Sequence, residues 1–477
     1  MNAPLQKGTA SPVESEFSVK AVLPVIFALI AGMLLLMLDT TIMNVAIPQL
    51  QNYFDTSLKT IQWAITGYTL ALSVVIPLAG WSSDKFTAKR TFLICLSLFT
   101  LGSVLCAIAQ SPAQLILFRI IQGLGGGMVF PIGMAMSFKI APPDKRGSIM
   151  GLLGLPMFVA PILGPVLSGW LIEFMNWHWI FLINLPLGII ALILGVKYLP
   201  ASEKKENAKL DIGGLLLSPL AFAGLIYTIH RGGTEGWNDM YTIVALLGSL
   251  IALALFIIVE LKQQEPLLEL RSFRSIEFTK GIVLSWVNQI ALFGSILMIP
   301  LFLQQVRGFS SFESGLMVIP QAVMSFTAMI IGGKAFDKYG ARPVVFSGLL
   351  ILSTALYLLS GLRTDTSIYV MMSYFAVLGL GQGLGTMTLN NHILQSAPKE
   401  LISRVTPLTS TGQQVFVSFA VAIMTSLLSS NISKNISLGQ DPTSAQMNGF
   451  HDTFLVAFAL ALCGVIWSLF LGKSKGK

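Results

Sequence analysis

AVLPVIFALIAGMLLLMLDTTIMNV, residues 21–45, is the stretch on which the reading of this chain turns. From Ala21 to Leu38 it carries no charged or hydrogen-bonding side chain, and only then does Asp39 appear. A surface helix of a soluble protein keeps a polar face at a period near 3.6 residues, and none is present here. About twenty apolar residues, rising 1.5 Å each, cross the hydrocarbon core of a bilayer, where a helix satisfies its own backbone. The stretch predicts a membrane-spanning helix. Residues 1–20 are polar with mixed charge, and no small-residue cleavage site follows the apolar run. That predicts a retained first helix rather than a secretory leader.

Runs of the same kind recur outward from it, at about 61–80, 91–110, 113–138, 148–173, 178–198, 210–230, 241–260, 278–304, 314–334, 343–361, 368–395, 403–430 and 452–471, which makes fourteen. The composition agrees. Only 11% of the 477 residues are charged and 54% are hydrophobic, whereas a soluble domain charges about 25% of its residues. The net charge of +8 does not indicate nucleic-acid binding, because the basic residues sit at the ends of apolar runs and not in a stripe. Cys95, Cys106 and Cys463 all fall inside apolar runs and offer neither metal spacing nor a disulfide framework. Orientation follows from the positive-inside rule. With both termini cytoplasmic, inside segments hold 24 of the 30 Lys and Arg residues.

A weak repeat divides the chain. Gly80-Trp-Ser-Ser-Asp84-Lys85, with Lys89-Arg90 after it, resembles Gly332-Gly-Lys-Ala-Phe-Asp337-Lys338, with Arg342 after it. Gln122-Gly123-Leu-Gly125 has an echo in Gln382-Gly383-Leu-Gly385. The expectation is a tail at 1–20, a six-helix bundle at 21–198, an inserted helix pair at 210–260, a second six-helix bundle at 278–471 and a tail at 472–477. Repeated halves with a site between them are a common build of secondary transporters.

Two charges within the spans carry the chemistry. A carboxylate in an apolar helix is costly, so Asp39 is a functional candidate. Arg119 is the one basic residue well inside a run, at a depth similar to that of Asp39. The two can pair, and a pair would hold Asp39 ionised until a proton or a cationic substrate competes. A structural pair that only joins two helices is the other reading. The fifth run contains Pro161, Gly164, Pro165 and Gly169, which suit close packing with a bend. Gln62, Gln289, Gln382, Asn390 and Gln413, with Trp63, Tyr68, Phe158 and Trp286, either line an aqueous cavity or hold helices together. The glycine-rich run Gly123–Gly127 follows no strand and is not a phosphate loop. His178, His230, His392 and His451 are scattered, and no catalytic cluster or sizeable soluble domain is visible, which argues against an enzyme or a signalling scaffold.

These motifs together resemble the major facilitator superfamily, and within it the fourteen-helix drug:proton antiporters. Leu38-Asp39-Thr-Thr-Ile-Met-Asn44-Val-Ala-Ile-Pro48 is similar to the signature of the family's first helix. Gly80 to Arg90 is similar to its cytoplasmic loop motif, with Thr87 and Ala88 where glycine and arginine are usual. Arg119-Ile-Ile-Gln122-Gly123, Gly164-Pro165 with Ser168-Gly169, and Trp177-His178 to Gly188 match further motifs of the branch. The resemblance implies a multi-pass protein of a bacterial plasma membrane that exports small amphipathic drugs or dyes, cationic ones among them, in exchange for protons. It implies coupling through Asp39 and Arg119, and gating through Asp84, Lys85, Arg90, Asp337, Lys338 and Arg342. The energy source would be the proton gradient, with no cofactor and no indicated accessory protein. A dedicated exporter of a metabolite or lipid is the alternative on the same scaffold, and an integral membrane enzyme a remote one.

Overall fold

The computed structural model describes residues 19–142, 145–201, 204 and 208–472. The tails expected at 1–20 and 472–477 lie almost wholly outside these residues. Among the described residues every regular element is helical.

In chain order, α1 is Val19–Tyr53 and α2 starts as Leu58–Val75 and ends as Ala79–Phe86. Helix α3 is Ala88–Ala107, and α4 runs as Pro112–Gly126 and Val129–Ile140. Helix α5 is Arg146–Leu153 followed by Leu155–Phe174, and α6 is Asn184–Tyr198. Helix α7 begins at Ile212–Ser218 and ends at Gly224–Glu235, and α8 is Met240–Lys262. Then come α9 at Ile276–Gln305, α10 at Ile319–Tyr339 and α11 at Ala341–Ser360. Helices α12, Ile368–Gln395, α13, Ile402–Ser437, and α14, Pro442–Ser468, complete the series.

Thirteen helical stretches among the described residues are long and apolar enough to cross a membrane. Interrupted at Gly154, α5 is the fourteenth long helix and packs along α1. Several helices outrun the apolar stretches that predict them. Apolar runs mark hydrocarbon thickness, whereas a helix continues into the headgroup region while its backbone stays paired. Local breaks have local causes. Pro77 falls in a 3₁₀ turn within α2, and Pro219 opens a π turn within α7. Proline supplies no backbone N–H, so the ladder must shift there.

Packing repeats between the halves. Helix α4 lies on α2 and α3 as α12 lies on α10 and α11, and α1 lies on α5 and α6 as α9 lies on α13 and α14. Close approach depends on small residues. Gly123 sits against the carbonyl of Tyr68, and Gly383 sits likewise against the carbonyl of Ser325. The outcome is two six-helix bundles and an inserted pair, α7 and α8, which pack on each other. Helix α7 also touches both α2 and α13, one from each bundle.

The α2–α3 and α10–α11 turns show the repeat at its sharpest. Gly340 takes φ 80°, which glycine adopts freely, and Thr87 at the matching position takes φ 76°. A β-branched residue in that region is strained. The Thr87 hydroxyl accepts from the Arg90 amide and so caps α3.

Candidate functional site

Asp39 and Arg119 form an ion pair within the first bundle, Nη1 to Oδ2 at 2.6 Å. Both are buried, at 2% and 1% exposure. Helix α1 supplies the carboxylate and α4 the guanidinium. Two neutral amides complete the carboxylate's shell, with Gln122 Nε2 and Asn184 Nδ2 donating to Oδ1 at 2.9 and 2.8 Å. Asn184 belongs to α6 and also donates to Ser103 Oγ of α3 at 2.9 Å.

Arg119 is held apart from its carboxylate too. Its Nη1 donates to Gln122 Oε1 at 2.8 Å and its Nε to the carbonyl of Ala64 at 3.3 Å. The Tyr68 ring covers the guanidinium at 4.1 Å. Charged hydrogen bonds in a buried site are strong, and removing one partner leaves the other uncompensated. The arrangement joins five helices of the first bundle through one carboxylate and reaches no residue of the second. Protonation of Asp39 would weaken its contacts to α4 and α6 together, while Arg119 kept the Ala64 carbonyl, Gln122 and the Tyr68 ring.

A second group of polar contacts closes the face that carries the α2–α3 turn. Asp337, at the end of α10, accepts from the backbone amides of Gly147 and Ser148 at 2.8 and 3.1 Å, and from Ser148 Oγ at 2.9 Å. These donors lie at the start of α5, and a carboxylate at a helix N-terminus is favoured by both its free amides and its dipole. Across the bundle boundary from Asp84, Arg404 Nη2 lies 3.7 Å from Asp84 Oδ2 and 3.6 Å from Glu265 Oε2. A Cβ on Gly80 would stand 2.6 Å from the carbonyl oxygen of Ser403, so glycine is needed for that approach. Among the described residues, Lys85, Arg90, Lys338 and Arg342 form no hydrogen bond or ion pair across the boundary. Arg90 is exposed, and Lys338 extends beside the Tyr339 ring.

The remaining candidates are spread out. Gly164 backs onto Thr41, and Ser168 donates to the Ile42 carbonyl at 3.1 Å, so this part of α5 packs closely on α1. A Cβ on Gly169 would meet no described atom within 4 Å. The side chains of Phe158, Pro161 and Pro165 lie outside the described ones. Gln413 donates to Asn390 at 2.9 Å, and both line a crevice with Phe130 and Met134 of α4. The crevice has room for about one water. Tyr68 serves the buried ion pair, and Trp63 stands near Tyr227 of the inserted pair. Gln62 is half-buried on α2, Trp286 stacks on Phe416, and Gln289 is buried. Gln382 accepts from Gln321 within the second bundle. Of these candidates, Asn390 and Gln413 are hydrogen-bonded to each other.

Sequence reasoning passed over Asn184 and Gln122 as parts of the charge site, although polar amides in apolar helices were the available signal. Arg404 and Glu265 had no such signal, since an ion pair between a helix end and a distant connection follows from tertiary placement. Among the described residues, no group of three or more His, Cys, Asp or Glu side chains is placed to hold a metal ion.

Comparison with known proteins identifies the fold and the family. The chain is 34% identical to the multidrug resistance protein B homolog of Mycobacterium tuberculosis, over 82% of this chain and 73% of that one. It is 30% identical to the lincomycin resistance protein LmrB of Listeria monocytogenes, over 95% of this chain and 97% of that one. The proton:xylose symporter XylE has the same fold, with a TM-score of 0.64 at 15% identity, over 97% of this chain and 98% of that one. The family model described as Major Facilitator Superfamily matches residues 29–422. A transporter rather than an enzyme, and a multi-span membrane protein, the chain belongs to the major facilitator superfamily.

Proposed function

We propose that this protein exports small amphipathic molecules from the cytoplasm in exchange for protons, with Asp39 as the group that takes up the proton. The observation that carries the reading is the Asp39 carboxylate, buried and bonded by Arg119, Gln122 and Asn184 from two other helices. A charge in that position is expensive, which makes it a functional-site candidate by default. The resistance proteins among its relatives support an amphipathic drug or dye as cargo.

In this reading residues 21–198 and 278–471 move as two bodies around a central path. The face with Asp84 and Asp337 is cytoplasmic, in line with its basic residues, and both termini lie there. Asp39 ionised keeps α1, α4 and α6 tied through Arg119 and Asn184. A proton arriving from outside neutralises Asp39 and loosens those ties, and substrate departs on the same side. Release of the proton inside restores the pair. Asp337 against α5 and Asp84 against Arg404 hold the cytoplasmic face shut while the other side is open.

The test is dye efflux from energised cells expressing wild type or Asp39→Asn, with an uncoupler control. Export should collapse both with the uncoupler and with Asp39→Asn. Normal export by the mutant would move coupling away from Asp39. Wild type that moves no dye would favour a dedicated exporter of a metabolite or lipid.

A further inference from the structure

The inserted pair carries a second buried acidic site, unconnected to Asp39. Asp211 caps the start of α7 and Glu260 lies in the last turn of α8, at 3% and 1% exposure. Each carboxylate has one satisfied oxygen. Asp211 Oδ1 accepts from the Gly214 amide at 2.9 Å and from Gln263 Nε2 at 3.0 Å, and Glu260 Oε2 accepts from the Leu268 amide at 3.3 Å. Each also has one oxygen, Asp211 Oδ2 and Glu260 Oε1, that is buried with no hydrogen-bond partner. The two bare oxygens face the same glycine. A Cβ on Gly214 would lie 2.5 Å from Glu260 Oε1 and 2.7 Å from Asp211 Oδ2.

Among the described residues, no basic side chain forms an ion pair with either carboxylate. Glu269, also buried with a bare oxygen, adds further negative charge. Arg271 turns its guanidinium to the carbonyls of Gln263 and Leu261. Arg404 is engaged by Asp84 and Glu265, and the Lys209 backbone amide donates to Glu265 at 3.1 Å. Two unpaired carboxylates buried side by side are strongly disfavoured, whereas a carboxylic acid beside a carboxylate supplies the donor that both bare oxygens lack.

We propose that Asp211 and Glu260 form a proton-binding site at the base of the inserted helix pair, where the folded protein holds one proton between the two carboxyl groups at neutral pH. The proton fastens the end of α8 to the start of α7. It thereby fixes the connection from Gln263 to Arg274, whose Glu265 meets Arg404 of the second bundle. Losing the proton sets two charges against each other and loosens that connection. The inserted pair so becomes a pH-sensitive brace on the contact between Arg404 and Glu265.

Infrared difference spectroscopy on the full-length protein in lipid nanodiscs, titrated in pH, tests the site. Wild type should show a protonated-carboxyl stretch at neutral pH that disappears on alkalinisation. Glu260→Gln, whose amide can donate to Asp211, should lack that band, and Asp39→Asn should retain it. Thermal unfolding provides a second readout. The folded state binds a proton that the unfolded state has released, so wild-type stability should fall as pH rises from the ordinary carboxylate range through neutral, and level off once the shared proton is lost. Glu260→Gln should flatten that slope, and Asp211→Asn serves if Glu260→Gln does not fold. A neutral-pH band that survives Glu260→Gln overturns the proposal. So does stabilisation of wild type by millimolar sodium or calcium that Glu260→Gln abolishes, which would assign the site to a metal ion. Because Asp39→Asn is measured beside it, failure here leaves the reading of Asp39 untouched.

Discussion

The two bundles share one packing scheme, yet only the first carries a charge at its centre. In the first, Arg119 of α4 reaches Asp39 of α1 and the carbonyl of Ala64 on α2. At the matching place in the second, Gly379 of α12 closes onto the carbonyl of Gln321 on α10, so tightly that a Cβ would collide with it. Gln122 and Gln382 also correspond. Gln122 donates to a carboxylate, whereas Gln382 takes neutral hydrogen bonds from Gln321 and Ser325. Where one bundle opens two helices around a guanidinium, the other brings their backbones into contact. At these matching places the second bundle is joined by neutral contacts, and the first by a buried ion pair. A duplicated fold does not duplicate the chemistry.

The comparison can be broken most directly at Arg119. Arg119→Leu strands a buried carboxylate, and loss of one partner of such a pair costs about 3–5 kcal/mol. Gln382→Leu removes only neutral interhelical bonds, worth about 1 kcal/mol in a membrane protein. Thermal unfolding in detergent should rank them in that order, and equal losses would end the distinction between the bundles.

The two turns sharpen it. Gly340→Thr should cost about 1–3 kcal/mol by placing a β-branched residue at positive φ. Thr87→Gly relieves the same strain in the first bundle, and a gain of about 1 kcal/mol in unfolding stability is expected. If Thr87→Gly destabilises instead, the cap from the Thr87 hydroxyl to Arg90 outweighs the strain.

The smallest effect concerns the far end of the inserted pair. The Arg231 guanidinium donates to Asp239 at 2.9 Å and holds that carboxyl below the usual aspartate range. A depressed native value gives stability that is present above the unfolded value and lost as pH falls through the folded one. Asp239→Asn should therefore remove a weak acid dependence of unfolding near pH 3–4, the ordinary aspartate range of about 3.9, without changing the neutral-pH slope assigned to Asp211 and Glu260.

Much of the fold was legible in the sequence because the bilayer imposes a length and an apolarity on every span. The charge site was half legible. Asp39 and Arg119 stand out against apolar neighbours, but Asn184 and Gln122 look like any other amide in a helix. The contacts between the bundles were legible at Asp84 and Asp337, whereas their partners were not. Asp337 chooses backbone amides at the start of α5, and no side-chain pattern announces a bare helix terminus. Lys338 and Arg342, basic and close by in sequence, take no part in the contact.

Taken alone, the sequence determined that the chain crosses a membrane many times, that its halves repeat, and that one acid and one base lie inside. Those features depend on composition and periodicity, which local chemistry decides. Only tertiary structure decided that Asp39 and Arg119 meet at 2.6 Å, that Arg404 meets Asp84 and Glu265 across the bundle boundary, and that the bare oxygens of Asp211 and Glu260 face one glycine. Each of these joins residues far apart in the chain, and their distance is set by how helices pack, which no single segment encodes.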